Sequence, residues 1–229
     1  MSTEIPPAAG DPRAAAKLQV LATEHWSLLA TRSLTYTESL GRVTIFLAIL
    51  SGAVIALALV GQADAFGTTF ISIAIPLLAI VAFAGISTIA RLHALNRDDY
   101  RWVIGMNRVR HAYLEMYPEL EPYFITGGHD DLPGALRTLG IDVVPQGRRI
   151  GSPLHLIQTL PGMLSVIVAA VAGAIGALAA LAVGSPPAGV VLAAALGFVL
   201  IVVSMGRLGQ RAIGHPSPSL EPRFPTPGL

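Results

Sequence analysis

Few side chains here are of the kind that could carry chemistry, and the densest group is His129, Asp130 and Asp131, placed directly after Gly127 and Gly128. An imidazole and two carboxylates following a flexible turn could hold a divalent cation, alone or with a phosphate attached. The same residues also perform ordinary turn and capping chemistry at the entrance to a short helix, and that reading is preferred. His93 with Asp98 and Asp99 has the composition of a proton relay, although a solvated helix face with Asp98 one turn from Arg101 accounts for it better. His25 could sense pH, but a partly buried histidine on a helix face is the commoner case. Arg148 and Arg149 could bind anionic lipid head groups, as could Arg42 and Arg91; all four are read first as determinants of membrane topology.

Recognised catalytic patterns are missing from the chain. There is no Gly-x-Ser-x-Gly elbow, no His-Glu-x-x-His pair, no phosphate loop and no paired-Asp motif within a span. Cysteine is absent, which excludes disulfides, thiolate catalysis and cysteine metal sites. No catalytic residue, metal ligand or cofactor is therefore assigned, and a non-enzymatic protein is expected.

The elements that position these side chains are set by hydropathy. Of 229 residues 53% are hydrophobic and only 13% charged, with a mean hydropathy of +0.63. A soluble domain has nearly twice that charged fraction, so the pattern predicts a protein surrounded by lipid. Four uncharged apolar stretches, about 43–60, 70–90, 162–183 and 188–205, are each long enough to cross a hydrocarbon layer of about 30 Å. Some forty residues precede the first, far more than a signal peptide carries. Pro76 could kink the second span and Ser72 could line a polar path beside it. No ionisable residue lies inside a span, which argues against an ion-coupled pump. The third span carries two small-residue ridges, Ala169, Gly173 and Ala177 on one and Ala172, Gly176 and Ala180 on the other. Such ridges let helices approach closely, with the fourth span or another subunit as partner.

The fifteen Lys and Arg residues fix a direction. Four precede the first span, eight lie between the second and third, three follow the fourth, and none lies in either short connection, 61–69 or 184–187. By the positive-inside rule both termini and the 91–160 segment are cytoplasmic, in a multi-pass protein of the plasma (inner) membrane. The eight basic residues of 91–160 are matched by eight acidic ones, so nucleic acid is not expected as a partner.

Outside the spans, Asp11 and Pro12 read as the start of a helix that nothing breaks before Leu40, with Leu18, Leu21, Leu28 and Leu29 as its apolar arc. The second span is expected to continue as a helix until Pro118. Along it Trp102, Met106, Val109, Tyr113 and Met116 recur at alternating steps of four and three, a heptad seam. The two helices are expected to pack as an antiparallel hairpin through these stripes, or otherwise to meet another subunit. From Pro118 to Pro161 alternating Pro and Gly exclude long elements. Short helices are predicted over 132–139, capped by Asp130 or Asp131, and over 153–160. The proline-rich tail after Gly214 is expected to be disordered.

At 32–60, with Ser33, Leu34, Thr35 and Tyr36 leading into the first span, and at 96–117, the chain resembles an uncharacterised bacterial multi-span integral membrane protein family. Over 13–117 its layout of helix, two-span hairpin and second helix is similar to two-span membrane effector modules, a likeness that implies pore formation. The expected architecture is all-α and polytopic, with four transmembrane helices in two hairpins and a cytoplasmic helical extension. Its parts are an amphipathic helix (1–42), a first membrane hairpin (43–90), a helix and Pro/Gly-rich segment (91–160), a second hairpin (161–206) and a tail (207–229). The expected role is assembly as a homo-oligomer among membrane lipids, the alternative being an oligomeric channel or pore; the identity of any small-molecule ligand is left open.

Overall fold

The computed structural model describes residues 12–140, 159–213 and 220–227. Among these residues there are helices and turns and no strand: α1 (Pro12–Ala63), α2 (Thr68–Met116), a 3-10 turn (Pro118–Tyr123), α3 (Leu132–Thr138), α4 (Leu160–Ala182) and α5 (Pro187–Ile213). Four of them, α1, α2, α4 and α5, are long and apolar enough to cross a membrane. α1 and α2 reach 52 and 49 residues, well beyond one span, because no Gly or Pro pair interrupts the sequence where hydropathy falls. Pro76 is accommodated within α2.

The described residues fall into two compact units. The first takes α1 up to Leu34, α2 from Asp99, the 3-10 turn, α3 and the C-terminal segment 220–227. The second takes the remainder of α1 and α2 together with α4 and α5.

In the first unit the heptad seam meets α1 as its spacing predicts. Leu28, Met106 and Val109 are buried together, with Leu21, Trp102 and Tyr113 packed around them. Gly105 permits this approach, since a Cβ there would lie 3.1 Å from the Leu28 side chain. Leu29, expected within the apolar arc, is instead exposed: it follows Leu28 directly, and a helical step of about 100° turns it off the seam. Met116 is only half-buried at the end of α2. A second small core joins Val103, Ile104 and Ala135, with Tyr100, Leu139 and Leu220 against them.

The second unit has an apolar core of Phe46, Val81, Ile89, Leu92, Leu164 and Val168 with their neighbours. Within it the small-residue ridges of α4 find their partner in α5 of the same chain. A Cβ on Gly173 would lie 3.0 Å from the Ala194 carbonyl and one on Gly176 2.5 Å from that of Ala193; from α5, one on Gly197 would lie 2.6 Å from that of Ala172. These are backbone-to-backbone approaches that no side chain fits. Ala169 and Ala180 are buried, while Ala177 is half-buried. The turn from α1 to α2 holds Ala65 (φ 45°) and Phe66 (φ 60°) in the left-handed region, at a cost on the order of 1 kcal/mol each. Asp64 holds the turn by accepting the Phe70 backbone N–H at 2.8 Å.

Candidate functional site

The richest polar arrangement lies in the first unit, where α2 presents Asn107, Arg108, Arg110 and His111 within one turn. Facing them is the loop that ends in His129, Asp130 and Asp131. Asp131 caps α3: the Gly134 N–H donates to its carboxylate at 2.9 Å. Gly134 sits against the His129 carbonyl with no room for a Cβ, which holds the loop tight. Asn107, fully buried, donates to that same carbonyl at 2.7 Å, while its own oxygen accepts Thr138 Oγ1 at 2.8 Å and Arg110 at 2.9 Å. The carboxamide thereby ties α2, the loop and α3 together.

Across this framework runs segment 220–227, where a disordered tail is expected from composition. The Asp130 side chain is 0% exposed and accepts Arg108 Nε at 2.7 Å. It also accepts the backbone N–H of Arg223 at 2.9 Å and of Phe224 at 2.7 Å. Its own N–H donates to the Phe224 carbonyl at 3.2 Å. Asp131 accepts the Thr226 N–H at 2.8 Å and the Thr226 hydroxyl at 2.9 Å, and Arg108 also donates to the Glu221 carbonyl at 2.9 Å. The Phe224 ring stacks on His111 with centroids 3.9 Å apart. An open cleft of about 400 Å³ adjoins this arrangement, lined among others by His111, Glu115, Phe124, His129 and Arg137.

The order of 220–227 has a direct cause in its sequence. Between Pro222 and Pro227 only Arg223, Phe224 and Thr226 carry a backbone N–H, because Pro222, Pro225 and Pro227 have none. All three are accepted by the two aspartates. Proline also pre-sets an extended backbone, so the segment loses little entropy on docking.

The electrostatics follow from the same contacts. Burial raises the Asp130 pKa, but the N–H groups of Arg223 and Phe224 and the Arg108 guanidinium outweigh it, and the carboxyl lies below its ordinary value. Asp131 behaves likewise, its burial outweighed by the N–H groups of Thr226 and Gly134. His25 is lowered by burial and then by Arg110, and its Nδ1 is buried with no hydrogen-bond partner.

The remaining sequence candidates separate. The carboxylates of Asp130 and Asp131 are engaged by the bonds above, and no group of three His, Cys, Asp or Glu suited to a metal occurs among the described residues. Asp99 pairs with Arg32 at 2.7 Å. Arg91 and Arg42 converge on Glu38, at 2.9 Å and 2.8 Å, a bridge that charge counting misses. Hydrogen bonds from Arg91 and then Arg42 hold the Glu38 pKa at about 2. Ser72 and Pro76 are both exposed, and the Ser72 hydroxyl donates to the Thr69 carbonyl of its own helix. Arg148 and Arg149 lie outside the described residues, as does most of the short helix predicted at 153–160. Asn107, Arg108 and the docked tail belong to no recognised motif; the signal that could have found the tail is its spacing of prolines. Comparison with known protein families, with curated proteins and with solved structures gives no match.

Proposed function

We propose that this is a non-enzymatic integral membrane protein that spans the plasma membrane four times, with both termini and the 91–160 segment in the cytoplasm, and whose cytoplasmic helical unit mediates assembly into a homo-oligomer. Arginine placement supports the threading. The assembly reading rests on one observation: α1 leaves Trp26 68% exposed and Leu29 39% exposed, one turn apart, in a part of the chain that the threading places in water. The heptad seam is already occupied within the chain, so a second copy would have to use exposed apolar side chains outside it, such as this outer pair. A large aromatic beside an aliphatic side chain is the composition from which interface centres are built.

Native mass spectrometry of the full chain in mild detergent or lipid nanodiscs tests the proposal. A dimer or larger species that Trp26→Glu converts to monomer is the expected result, and a wild-type protein that is monomeric at micromolar concentration overturns it. A pore is the second reading, supported by the outward exposure of Ser72 and Pro76, which could line a water path between copies. Ion flux from liposomes carrying the oligomer separates the two, since a bilayer that stays tight removes the pore.

A further inference from the structure

We infer that the groove formed by α2, the His129–Asp131 loop and α3 is a peptide-recognition site, whose ligand is an extended, proline-flanked segment presenting a phenylalanine. The chain's own C-terminal segment is its resident occupant. The chemistry is that of a peptide complex rather than of a folded core. Recognition runs through the backbone: three N–H groups of the segment are accepted by Asp130 and Asp131, and two of its carbonyls, Glu221 and Phe224, are bound in return by Arg108 and by the Asp130 N–H. One ring, Phe224, is read by stacking on His111. Docking of proline-rich extended peptides onto preformed aromatic and polar surfaces uses the same division between backbone affinity and side-chain pockets.

Two features make this contact exchangeable. The residues between α5 and the segment, Gly214 to Ser219, are Gly, His, Pro and Ser in sequence, with no large apolar side chain among them. Within 220–227 only Leu220 and Phe224 bring large apolar groups, and both stay half-buried. A tethered peptide of this kind competes at an effective concentration in the millimolar range, so a free peptide of equal sequence wins only when the tethered copy is weakened. Part of the groove's framework is bonded without the tail. Asn107 bonds both to the His129 carbonyl and to Thr138, and Asp131 caps α3, with no contribution from 220–227. The inference does not rest on the homo-oligomer reading, because a monomer with an occupied groove would show it equally.

Fluorescence anisotropy with a labelled synthetic peptide of residues 217–229 tests it, using the full-length chain in detergent. The cis-weakened double variant Phe224→Ala, Thr226→Ala leaves the groove intact. It should bind the peptide at least about tenfold more tightly than wild type does, by removal of the tethered competitor. Adding Asp131→Asn should then cost about tenfold. Asparagine still caps α3, but it presents an N–H₂ where Oδ2 accepts the Thr226 N–H, so a charge-assisted bond is lost without the helix start. A peptide with alanine at the Phe224 position should fail to compete. The inference is overturned if the cis-weakened chain binds no peptide up to millimolar concentration, if wild type and variant bind equally, or if Asp131→Asn leaves the affinity unchanged while α3 stays folded by hydrogen exchange.

Discussion

The two units are cut from the same pair of long helices, yet they are held together by opposite means. In the second unit α1 and α2 turn apolar side chains outward, Ile45, Ile55, Leu59, Ile80 and Phe83 among them, and the packing depends on missing atoms: Gly85, Gly173, Gly176 and Gly197 stand where a Cβ would strike a neighbour. In the first unit the same helices turn many charged and polar groups outward beside a few apolar ones such as Trp26, and cohesion draws on Asn107, Arg108, Asp130 and Asp131, whose hydrogen bonds close loops that have little apolar surface to bury. The contrast is that of two solvents. Where lipid surrounds a helix, burial of apolar area gives no driving force between helices and close backbone contact must supply it. Where water surrounds it, a modest core suffices if most of the polar groups it buries are satisfied; among the described residues His25 Nδ1, Trp102 Nε1 and His129 Nδ1 are the exceptions.

The largest effect expected from breaking this comparison is at Gly176. Its Cβ position is 2.5 Å from the Ala193 carbonyl, a backbone atom that cannot yield without moving α5. Gly176→Leu should abolish a folded, monodisperse product in detergent, with a cost above about 3 kcal/mol. Gly105→Ala in the first unit meets only the flexible end of Leu28 at 3.1 Å and should cost about 1 kcal/mol or less in thermal melts.

Next in size is Asp130→Ala, which leaves Arg108 and two backbone N–H groups without their acceptor. A loss of about 3 kcal/mol is expected, confined to the first unit and visible as lost hydrogen-exchange protection at Arg223 and Phe224 while α4 and α5 stay protected.

Acid should act on the same place. Asp130 and Asp131 have depressed pKa values in the folded chain, so the stability they contribute is fully present above the unfolded value of 3.8 and is lost as pH falls through the lower folded values. Protection of 223–226 should therefore hold at pH 5 and fail only below about 3.8. Release of the segment above pH 5 would contradict the bonding described here. The smallest effect belongs to Glu38→Gln, which removes an exposed bridge to Arg91 and Arg42 and should leave the melting temperature unchanged within error at physiological salt.

How far the sequence was legible differs between the units for the same reason. Hydropathy is a long-range signal, so the four long apolar helices could be read from it, as could the seam of Trp102, Met106, Val109 and Tyr113, whose heptad spacing is a strong periodicity. The α3 cap was also readable, because Asp131 followed by Leu132 and Pro133 is local chemistry. The docked tail was not. Its many prolines resemble a disordered segment when only composition is weighed, and its order depends on two carboxylates more than ninety residues away. Arg108 and Asn107 were hidden likewise, since each is an ordinary helix residue until the loop at 127–131 folds against it. The partner of the α4 ridges needed coordinates too, because Ala and Gly at every fourth position say that something approaches closely without saying what.

The chain contains no cysteine, so single introduced thiols can report directly on the threading from which the cytoplasmic assignment and the assembly proposal follow. Ile125→Cys, at a position 97% exposed, and Pro186→Cys, at an exposed position in the 184–187 connection, should be treated in intact cells with a membrane-impermeant maleimide. The account predicts labelling at 186 in intact cells and at 125 only after permeabilisation. Labelling at 125 from outside, with 186 protected, would contradict it.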